Sequence, residues 1–320
     1  MHATFRFAST LVVLTLAASL AAPLAAPFAR GQQPPSWDSR ADGTTLESVP
    51  SGGMLRWYRV HVPPGTPPDA ELPVVVCFHG GGGSARSAIG QYRIVEEARQ
   101  RGWIAVFPEG TGVLGGPPLF RGQTWNGGDC CGYAYQNGVD DVRFFEDMLT
   151  DLDATHPADV TRVCLTGISN GGILCYRIAV DRPDLVTAIA PVAASLQTSA
   201  PAVPVPLLAV FGRLDSYIPI GGGSGVGGPQ VFTSQADTIT PFLDVNGRAF
   251  GPPQGGPNAI LRTSNGSTLG GADTWYYLAL DGGHTWPGTA GLPGDPGEPV
   301  HVDVAATPLM FDFFELQLPR

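Results

Sequence analysis

The 320-residue sequence predicts an α/β fold in which a mostly parallel central sheet is covered by helices on both faces. Two observations point to this class. Continuous apolar runs rich in β-branched residues recur along the chain, as they do in strands that are buried on both faces. Stretches of helical length separate these runs, and the regular alternation of strand and helix is typical of a doubly wound sheet. Ligands of such sheets bind at the carboxyl ends of the strands.

The individual elements follow in chain order. The alternating pattern of Met54–Val62 predicts a half-exposed strand of an edge hairpin. The strands predicted to be buried are 72–78, 102–108, 163–165, 185–192, 205–212 and 274–280. The predicted helices are 89–101, one that begins near residue 141, 173–180, 234–245 and 303–316.

The first 30 residues are predicted to be a signal peptide and not part of the fold. Arg6 precedes the apolar run Phe7–Leu20, and an Ala/Pro-rich stretch then ends near Ala29. The run is too short, and too soon followed by Pro23, to span a membrane. We therefore expect a secreted protein, either extracellular or periplasmic.

The remaining residues, 31–320, are predicted to form one catalytic domain. They are long enough for one large core and contain no internal repeat. The segment at about 220–271 is rich in glycine and is predicted to be an insertion that overhangs the site and shapes its pocket. Within it, Asn265-Gly266-Ser267 matches a glycosylation acceptor but is more typical of a turn.

The charge of the chain argues against two classes of partner. Its formal net charge is -10 at pH 7, and all 18 basic residues are arginine. Phosphate backbones and anionic lipid surfaces repel a chain of this sign. We therefore expect neither a nucleic acid nor a membrane as a partner.

Five cysteines are present, and an exported protein can form disulfides. They are Cys77, Cys130, Cys131, Cys164 and Cys175. Three of them fall in a predicted strand or helix, where a buried free thiol is expected. The adjacent pair Cys130-Cys131 is the better candidate for a disulfide, either within the pair or to another cysteine.

A metal site is not expected. The sequence lacks the C-x-x-C spacing of a zinc site. Asp140 and Asp141 form an acidic pair, but Asp140 fits the N-cap of the following helix, and a cation site would need further acidic ligands.

The strongest chemical signal is Gly167-Ile168-Ser169-Asn170-Gly171, which joins an apolar run to a stretch of helical length. A serine becomes a good nucleophile when a sharp strand-to-helix turn presents its hydroxyl clear of the backbone. Such a turn leaves no space for neighbouring side chains, which accounts for the two flanking glycines. We predict that Ser169 is the nucleophile and that the Asn170 amide, at a helix N-terminus, stabilises an oxyanion.

A second glycine-rich segment, His79-Gly80-Gly81-Gly82-Gly83, directly follows the predicted strand 72–78. Backbone amides of a glycine loop can approach a ligand closely, as an oxyanion hole requires. We predict that Gly81 supplies the second amide of the hole. His79 is predicted to order this loop rather than to act as the base.

The chain order of such a site, nucleophile, then acid, then histidine, restricts the choice of base. Only His284 and His301 follow Ser169 in the sequence. His284 lies in the loop just after strand 274–280, whereas His301 lies far along a Pro/Gly-rich loop. His284 is therefore the preferred general base.

Asp215 is the preferred acid because it lies three residues beyond the strand that ends at Gly212. Its carboxylate would hold the imidazole in the correct tautomer and stabilise the imidazolium. Asp273 and Asp281 are rivals that flank the last strand. Asp273 lies at the wrong end of that strand, and Asp281 is too close in sequence to His284 to orient it easily.

Six motifs together resemble one known family. They are HGGGGSA at 79–85, TWNGGDCCG at 124–132, VDDV at 139–142, GISNGG at 167–172, FGRLDSYIP at 211–219 and HTWPG at 284–288. They look like the secreted polyhydroxybutyrate depolymerase-like esterases, an α/β-hydrolase group that also contains bacterial feruloyl esterases. The resemblance covers about residues 50–318. One departure is Phe211, where family members commonly carry a histidine.

The resemblance implies an α/β-hydrolase fold, a triad of Ser169, Asp215 and His284, and no cofactor. It also implies that Trp125 and Trp286 border the site and contact substrate. The implied substrates are feruloyl-type aryl esters of plant polysaccharide or hydroxyalkanoate oligoesters. Two alternatives stay open: a serine peptidase of the same fold, and a catalytically silent binding protein.

Overall fold

Parallel strands form the centre of the fold in the computed structural model, which describes residues 43–113, 122–265, 272–289 and 297–318. The strands are β1 (Thr45–Ser51), β2 (Met54–His61), β3 (Leu72–Phe78), β4 (Ile104–Pro108), β5 (Ala158–Ile168), β6 (Ala188–Val192), β7 (Leu207–Gly212), β8 (Gly223–Ser224), β9 (Val231–Phe232), β10 (Ala249–Phe250), β11 (Ala259–Asn265) and β12 (Thr274–Ala279). The helices are α1 (Ala85–Tyr92), α2 (Ile94–Arg101), α3 (Gly132–Gln136), α4 (Asp141–Thr155), α5 (Asn170–Asp181), α6 (Gln235–Val245) and α7 (Ala306–Gln317). The predicted signal peptide, 1–30, lies outside the described residues.

The main sheet has ten strands in the order β1-β2-β4-β3-β5-β6-β7-β12-β11-β10. The six strands from β4 to β12 in this order pair in parallel. Two antiparallel strands flank them at each edge. The sheet is therefore mostly parallel, as predicted. The two-residue strands β8 and β9 form a separate small hairpin.

Helices cover both faces of the sheet, as predicted. Successive residues of a strand face opposite sides, and β3 shows this in the core. Val74 and Val76 pack in one apolar cluster with residues of α4, α5 and α6. Val75 and Cys77 pack in a second cluster with residues of α1, α2 and α7. Since β3 is buried on both sides, its sequence is continuously apolar and shows no alternation.

One predicted helix is divided in two. The range 89–101, predicted as one helix, contains the end of α1 and the whole of α2, which are separated by Arg93. Arg93 adopts the left-handed backbone conformation with φ 56°, which ends the hydrogen-bonding pattern of α1. Arginine is a good helix former, so the sequence gives no signal for this break.

The predicted edge hairpin is present, but residues 54–61 are not its outer strand. Residues 54–61 form β2, which lies inside the sheet between β1 and β4. β1 is the outer strand, and Gly52 and Gly53 join it to β2 with φ of 56° and 77°. Positive φ at both residues is the mark of the tight turn that suits a twisted hairpin.

Part of the predicted insertion belongs to the sheet. Its helix α6 lies where it was predicted, and the Ser234 hydroxyl caps it by accepting the Asp237 amide at 3.1 Å. β11 then pairs antiparallel with β12, and β10 with β11. This half of the segment therefore widens the sheet. Of the predicted glycosylation motif at 265–267, only Asn265 lies within the described residues.

The helices can also be judged against a bilayer. In the described part of the chain, none is both long enough and apolar enough to cross one.

Candidate active site

Ser169 lies at the turn between β5 and α5 in a strained conformation. Its φ of 56° and ψ of −127° fall outside the regions that residues with side chains favour. The turn is also closely packed. A Cβ atom on Gly171 would lie 2.5 Å from the carbonyl oxygen of His79, and one on Gly167 would lie 2.6 Å from that of Phe78. Both positions therefore require glycine, for the reason that the sequence suggested.

Asp215 and His284 form a hydrogen-bonded pair. The Nδ1–H of His284 donates to Asp215 Oδ2 at 2.8 Å, and both side chains are buried. Asp215 Oδ1 accepts the backbone amides of Tyr217 at 2.9 Å and Ile218 at 2.8 Å. Because the carboxylate is held from both oxygens, it fixes the imidazole as the tautomer whose Nε2 can accept a proton.

Strand order brings the three predicted triad residues to the same end of the sheet, where the parallel strands have their carboxyl ends. Ser169 follows β5, Asp215 follows β7 and His284 follows β12, and these strands are parallel and neighbours through β6. The hydrogen bonds of the described residues include none between Ser169 and His284. Catalytic hydrogen bonds are often long without substrate and tighten only when it binds.

The predicted oxyanion loop lies against the nucleophile turn. A Cβ atom on Gly81 would lie 3.6 Å from the Cβ of Asn170, and one on Gly80 would lie 3.6 Å from that of Ser169. The amides predicted to form the hole, those of Gly81 and Asn170, therefore belong to adjacent segments. Glycine at 81 leaves the approach to its backbone open.

Trp125 fastens the two segments of the predicted oxyanion hole together. Asn170 Oδ1 accepts the Trp125 amide at 2.7 Å, and Asn170 Nδ2 donates to the Trp125 carbonyl at 2.8 Å. The indole Nε1 of the same tryptophan donates to the His79 carbonyl at 2.9 Å. A single residue thus holds the turn after Ser169 and the loop that starts at His79.

His79 orders the oxyanion loop, as predicted. It is fully buried, its Nδ1–H donates to the Gly80 carbonyl at 2.8 Å, and its Nε2 accepts the Gly110 amide at 3.0 Å. Burial lowers the pKa of His79 to about 4. The imidazole is therefore neutral at pH 7, and both of its nitrogens are used within the protein.

The two tryptophans predicted to contact substrate are buried. Trp125 has no exposed surface, and Trp286 has 2%. Trp286 stacks on Tyr92 with ring centroids 4.3 Å apart, and its Nε1 donates to Thr307 Oγ1 at 3.0 Å. The structure gives each side chain a packing role, and direct contact with substrate stays a prediction for both.

Two of the rival residues, His301 and Asp281, pair with each other, and the third pairs elsewhere. His301 Nδ1 donates to Asp281 Oδ1 at 2.5 Å, and His301 Nε2 is 2.7 Å from the Tyr277 hydroxyl. With both nitrogens engaged, His301 has none left for a serine. Asp273 lies at the start of β12 and forms an ion pair with Arg248 at 3.4 Å.

The acidic pair after the Trp125 loop has two structural roles. Asp140 Oδ1 accepts the Arg143 amide at 2.9 Å and so caps α4, as predicted. Asp141 is buried, where it pairs with Arg56 at 2.8 Å and accepts the Asn126 amide at 2.7 Å. Across the described ranges, no group of three potential ligands among His, Cys, Asp and Glu is placed to hold a metal ion.

The cysteines divide as the sequence suggested. Cys130 and Cys131 form a disulfide with each other, within the loop that carries Trp125. Cys77, Cys164 and Cys175 are free and buried. Burial raises the pKa of all three thiols, so they are protonated and unreactive at neutral pH.

A cavity of about 360 Å³ adjoins the loop that starts at His79, and it was not predicted from the sequence. Its lining includes Leu55, Trp57, Thr111, Gln123 and Tyr133. Gln123 links it to the loop, since its carbonyl accepts the amide of Gly82 at 2.7 Å. These residues come from β2, from the segment after β4 and from α3, so only the folded chain assembles them.

Glu298 was also missed. Its carboxylate accepts the backbone amide of His284 at 2.6 Å and contacts Ser216, the residue after the predicted acid. It lies in a loop rich in proline and glycine and far from Ser216 in the chain, so no local pattern marks it.

Comparison with known proteins gives two relatives in sequence. No family model matches the chain. It is 27% identical over 278 residues to "Putative esterase NocK" of Nocardia uniformis subsp. tsuyamanensis, covering 77% of this chain and 74% of that protein. It is 27% identical over 208 residues to "Feruloyl esterase B" of Piromyces equi, covering 62% of this chain but only 37% of that protein.

Among solved structures, the acetyl xylan esterase of Aspergillus awamori superposes with a TM-score of 0.56. The match has 16% sequence identity and covers 85% of this chain and 99% of that one. At this identity the likeness concerns the fold. The chain has the α/β-hydrolase fold, and the sequence relatives described here bear the names of esterases.

Proposed function

We propose that the protein is a serine carboxylic ester hydrolase that works through an acyl-enzyme. One observation carries the proposal: the Asp215–His284 hydrogen bond of 2.8 Å lies at the sheet edge where Ser169 occupies its strained turn. The esterase names of both sequence relatives agree with this class of activity.

In the first half of the reaction, Ser169 Oγ attacks the ester carbonyl while His284 Nε2 takes its proton. Asp215 stabilises the imidazolium that forms. The amides of Gly81 and Asn170 donate to the oxyanion of the tetrahedral intermediate. The intermediate collapses, His284 gives its proton to the leaving alcohol, and the acyl group stays on Ser169.

In the second half, water replaces the alcohol. His284 takes a proton from the water as it attacks the acyl-enzyme, and the same two amides hold the second oxyanion. Collapse releases the carboxylic acid, and the proton returns to Ser169. The covalent intermediate replaces one difficult step with two easier ones.

For the substrate, we propose feruloyl-type aryl esters of plant polysaccharide or hydroxyalkanoate oligoesters. The six motifs resemble families that act on these compounds, and one sequence relative is named feruloyl esterase B. We also propose that the protein is secreted, on the basis of the signal-peptide pattern at 1–30.

A substrate panel tests the proposal. It contains methyl ferulate, short p-nitrophenyl esters, hydroxybutyrate oligomers and a peptide amide, each offered to the wild type, Ser169→Ala and Ser48→Ala. Ser48 lies exposed in β1, an outermost strand of the sheet, and serves as the matched control. We expect ester hydrolysis by the wild type and the control but not by Ser169→Ala. Cleavage of the peptide alone would favour the peptidase alternative, and no hydrolysis by any protein would favour a silent binding protein.

A further inference from the structure

We propose that Glu298 is a positioning residue that fixes the predicted acid and base of the site relative to each other. The inference rests on the proposed function, because it assigns a role within that triad. It is drawn from three contacts of one carboxylate, which connect the loop after β7 with the loop after β12.

Each oxygen of the Glu298 carboxylate reaches a different loop. Oε2 accepts the backbone amide of His284 at 2.6 Å. Oε1 accepts the Ser216 amide at 3.3 Å and also the Ser216 hydroxyl in a short contact. Since Ser216 directly follows Asp215, the carboxylate bridges the residue next to the acid and the backbone of the base.

The chain around Glu298 is fastened on both sides of His284. The Pro299 carbonyl accepts the amide of Gly283 at 2.8 Å and the hydroxyl of Thr285 at 3.2 Å. The packing is tight as well: a Cβ atom on Gly283 would overlap the Glu298 carboxylate and lie 2.8 Å from Pro299. Glu298 therefore holds the histidine loop by its main chain and leaves the imidazole free to act.

The direct Asp215–His284 bond cannot supply this restraint alone. It fixes one side chain against another, whereas the position of the pair against Ser169 depends on where the two loops lie. A displacement of about 1 Å in a catalytic group can cost about 100-fold in rate. A carboxylate with charge-assisted bonds to both loops is suited to prevent such a shift.

The test compares Glu298→Ala, Glu298→Gln and Ser216→Ala with the wild type. Glu315→Gln is the matched control. It also replaces a glutamate by glutamine, but Glu315 lies on α7, where its ion pair is with Arg101 and not with the loops of the site. The readouts are kcat and KM on the best ester of the panel, and the low-field proton NMR signal of the His284 Nδ1–H···Asp215 hydrogen bond. The second readout needs no substrate.

We expect Glu298→Ala to lower kcat by about 10- to 100-fold with little change in KM, and to broaden or shift the low-field signal. Glu298→Gln should recover part of both. Its amide oxygen can still accept the His284 amide and its nitrogen can donate to the Ser216 hydroxyl, whereas the bond from the Ser216 backbone amide is lost. Ser216→Ala, which removes only the hydroxyl contact, should give a kcat between that of Glu298→Ala and that of the wild type. Glu315→Gln should match the wild type.

Wild-type kcat and an unchanged low-field signal in Glu298→Ala would overturn the proposal. So would equal losses in Glu298→Gln and Glu298→Ala, since the hydrogen bonds would then not matter. If Glu298→Ala fails to fold, Glu298→Gln and Ser216→Ala still decide the question. If the wild type hydrolyses no ester, the proposed function fails, and the NMR signal alone judges whether Glu298 positions the pair.

Discussion

Ser169 shows at the scale of one residue how the chain accommodates strain. Its positive φ costs about 1–3 kcal/mol in an ordinary residue and persists because its surroundings hold it. The glycines around it allow β3, β5 and α5 to approach closely. Strained residues of this kind cluster at active sites, which is why the turn indicates function.

Gly171→Ala should therefore destabilise the protein. Its Cβ would overlap the carbonyl oxygens of Phe78, the last residue of β3, and of His79, which follows it. We expect a loss of about 3 kcal/mol in the free energy of unfolding, measured by chemical denaturation. Gly90→Ala is the matched control, because a Cβ there meets nothing within 4 Å and Gly90 lies within α1. It should stabilise by about 0.5–1 kcal/mol, and an equal loss in both would contradict the packing account.

Asp215→Asn tests the role of the acid separately from packing. The amide is nearly the same size as the carboxylate, but its nitrogen would favour the opposite tautomer of His284. We expect kcat to fall by about 10⁴-fold while the melting temperature changes little. Asp281→Asn, on the rival pair with His301, is the comparison. If Asp281→Asn lost activity and Asp215→Asn kept it, the assignment would be reversed.

The main residues of the proposed site could be chosen from the sequence because the chemistry of the fold restricts their order. A nucleophile motif, an acid after one strand and a histidine after another left few choices, and Asp215 and His284 do lie together. Glu298 could not be predicted in this way. Its three contacts depend on the path of two loops. In the sequence, a glutamate between glycine and proline is typical of an exposed loop and does not indicate a site.

At the scale of elements, the segments around Ser169 are joined by main-chain groups. His79 binds Gly80 and Gly110, and Trp125 binds Asn170 and His79. The amides predicted to form the oxyanion hole are therefore held by neighbours that are themselves buried. Preorganised donors of this kind stabilise a developing charge without rearrangement.

The buried His79 should make stability depend on pH. Burial lowers its pKa to about 4 in the folded state, against 6.5 for a free side chain. Between these values the unfolded chain binds the proton and the folded chain does not, so stability falls as the pH drops from about 6.5 to 4. We expect this residue to contribute up to about 3 kcal/mol of that loss.

Chemical denaturation at pH values from 4 to 7 measures this dependence in the wild type and in His79→Asn. The variant should be less stable at pH 7, since it cannot reproduce both hydrogen bonds, but its stability should vary less over the range. An identical pH dependence in the two proteins would mean that His79 is not the group responsible.

Strands that are buried on both faces were predicted well. Elements that depend on tertiary contacts or on one backbone conformation were predicted poorly. β3 and β7 are apolar throughout because both of their faces are covered, so their patterns are clear. β11 was missed since its apolar residues are confined to its first half, Ala259, Ile260 and Leu261, and Arg262 to Asn265 are polar. The break at Arg93 depends on a backbone conformation that its side chain does not announce.

At the scale of the whole molecule, the parallel sheet explains why distant segments meet at one candidate site. Ser169, Asp215 and His284 are separated widely in the chain, yet each follows a parallel strand. Parallel strands present their carboxyl ends at the same edge. The alternation of strands and helices was therefore sufficient to predict both the fold class and the edge on which to look.

Export is the prediction that belongs to the full chain. If the pattern at 1–30 is a signal peptide, expression of the whole sequence in a secreting host should yield a shortened protein outside the cytoplasm. N-terminal sequencing should place its first residue between 22 and 30, after one of the small residues there. Recovery of the intact N-terminus inside the cell would contradict the proposal.

The most direct measurement of the central claim is covalent labelling with a fluorophosphonate, followed by mass spectrometry of the peptides. A serine activated by His284 should react, so we expect one label per chain on the peptide that contains Ser169. Ser169→Ala should take up none, and ester hydrolysis should be lost in step with labelling. An unchanged rate of ester hydrolysis by a fully labelled protein, or a label on another serine, would contradict the assignment of Ser169 as the nucleophile.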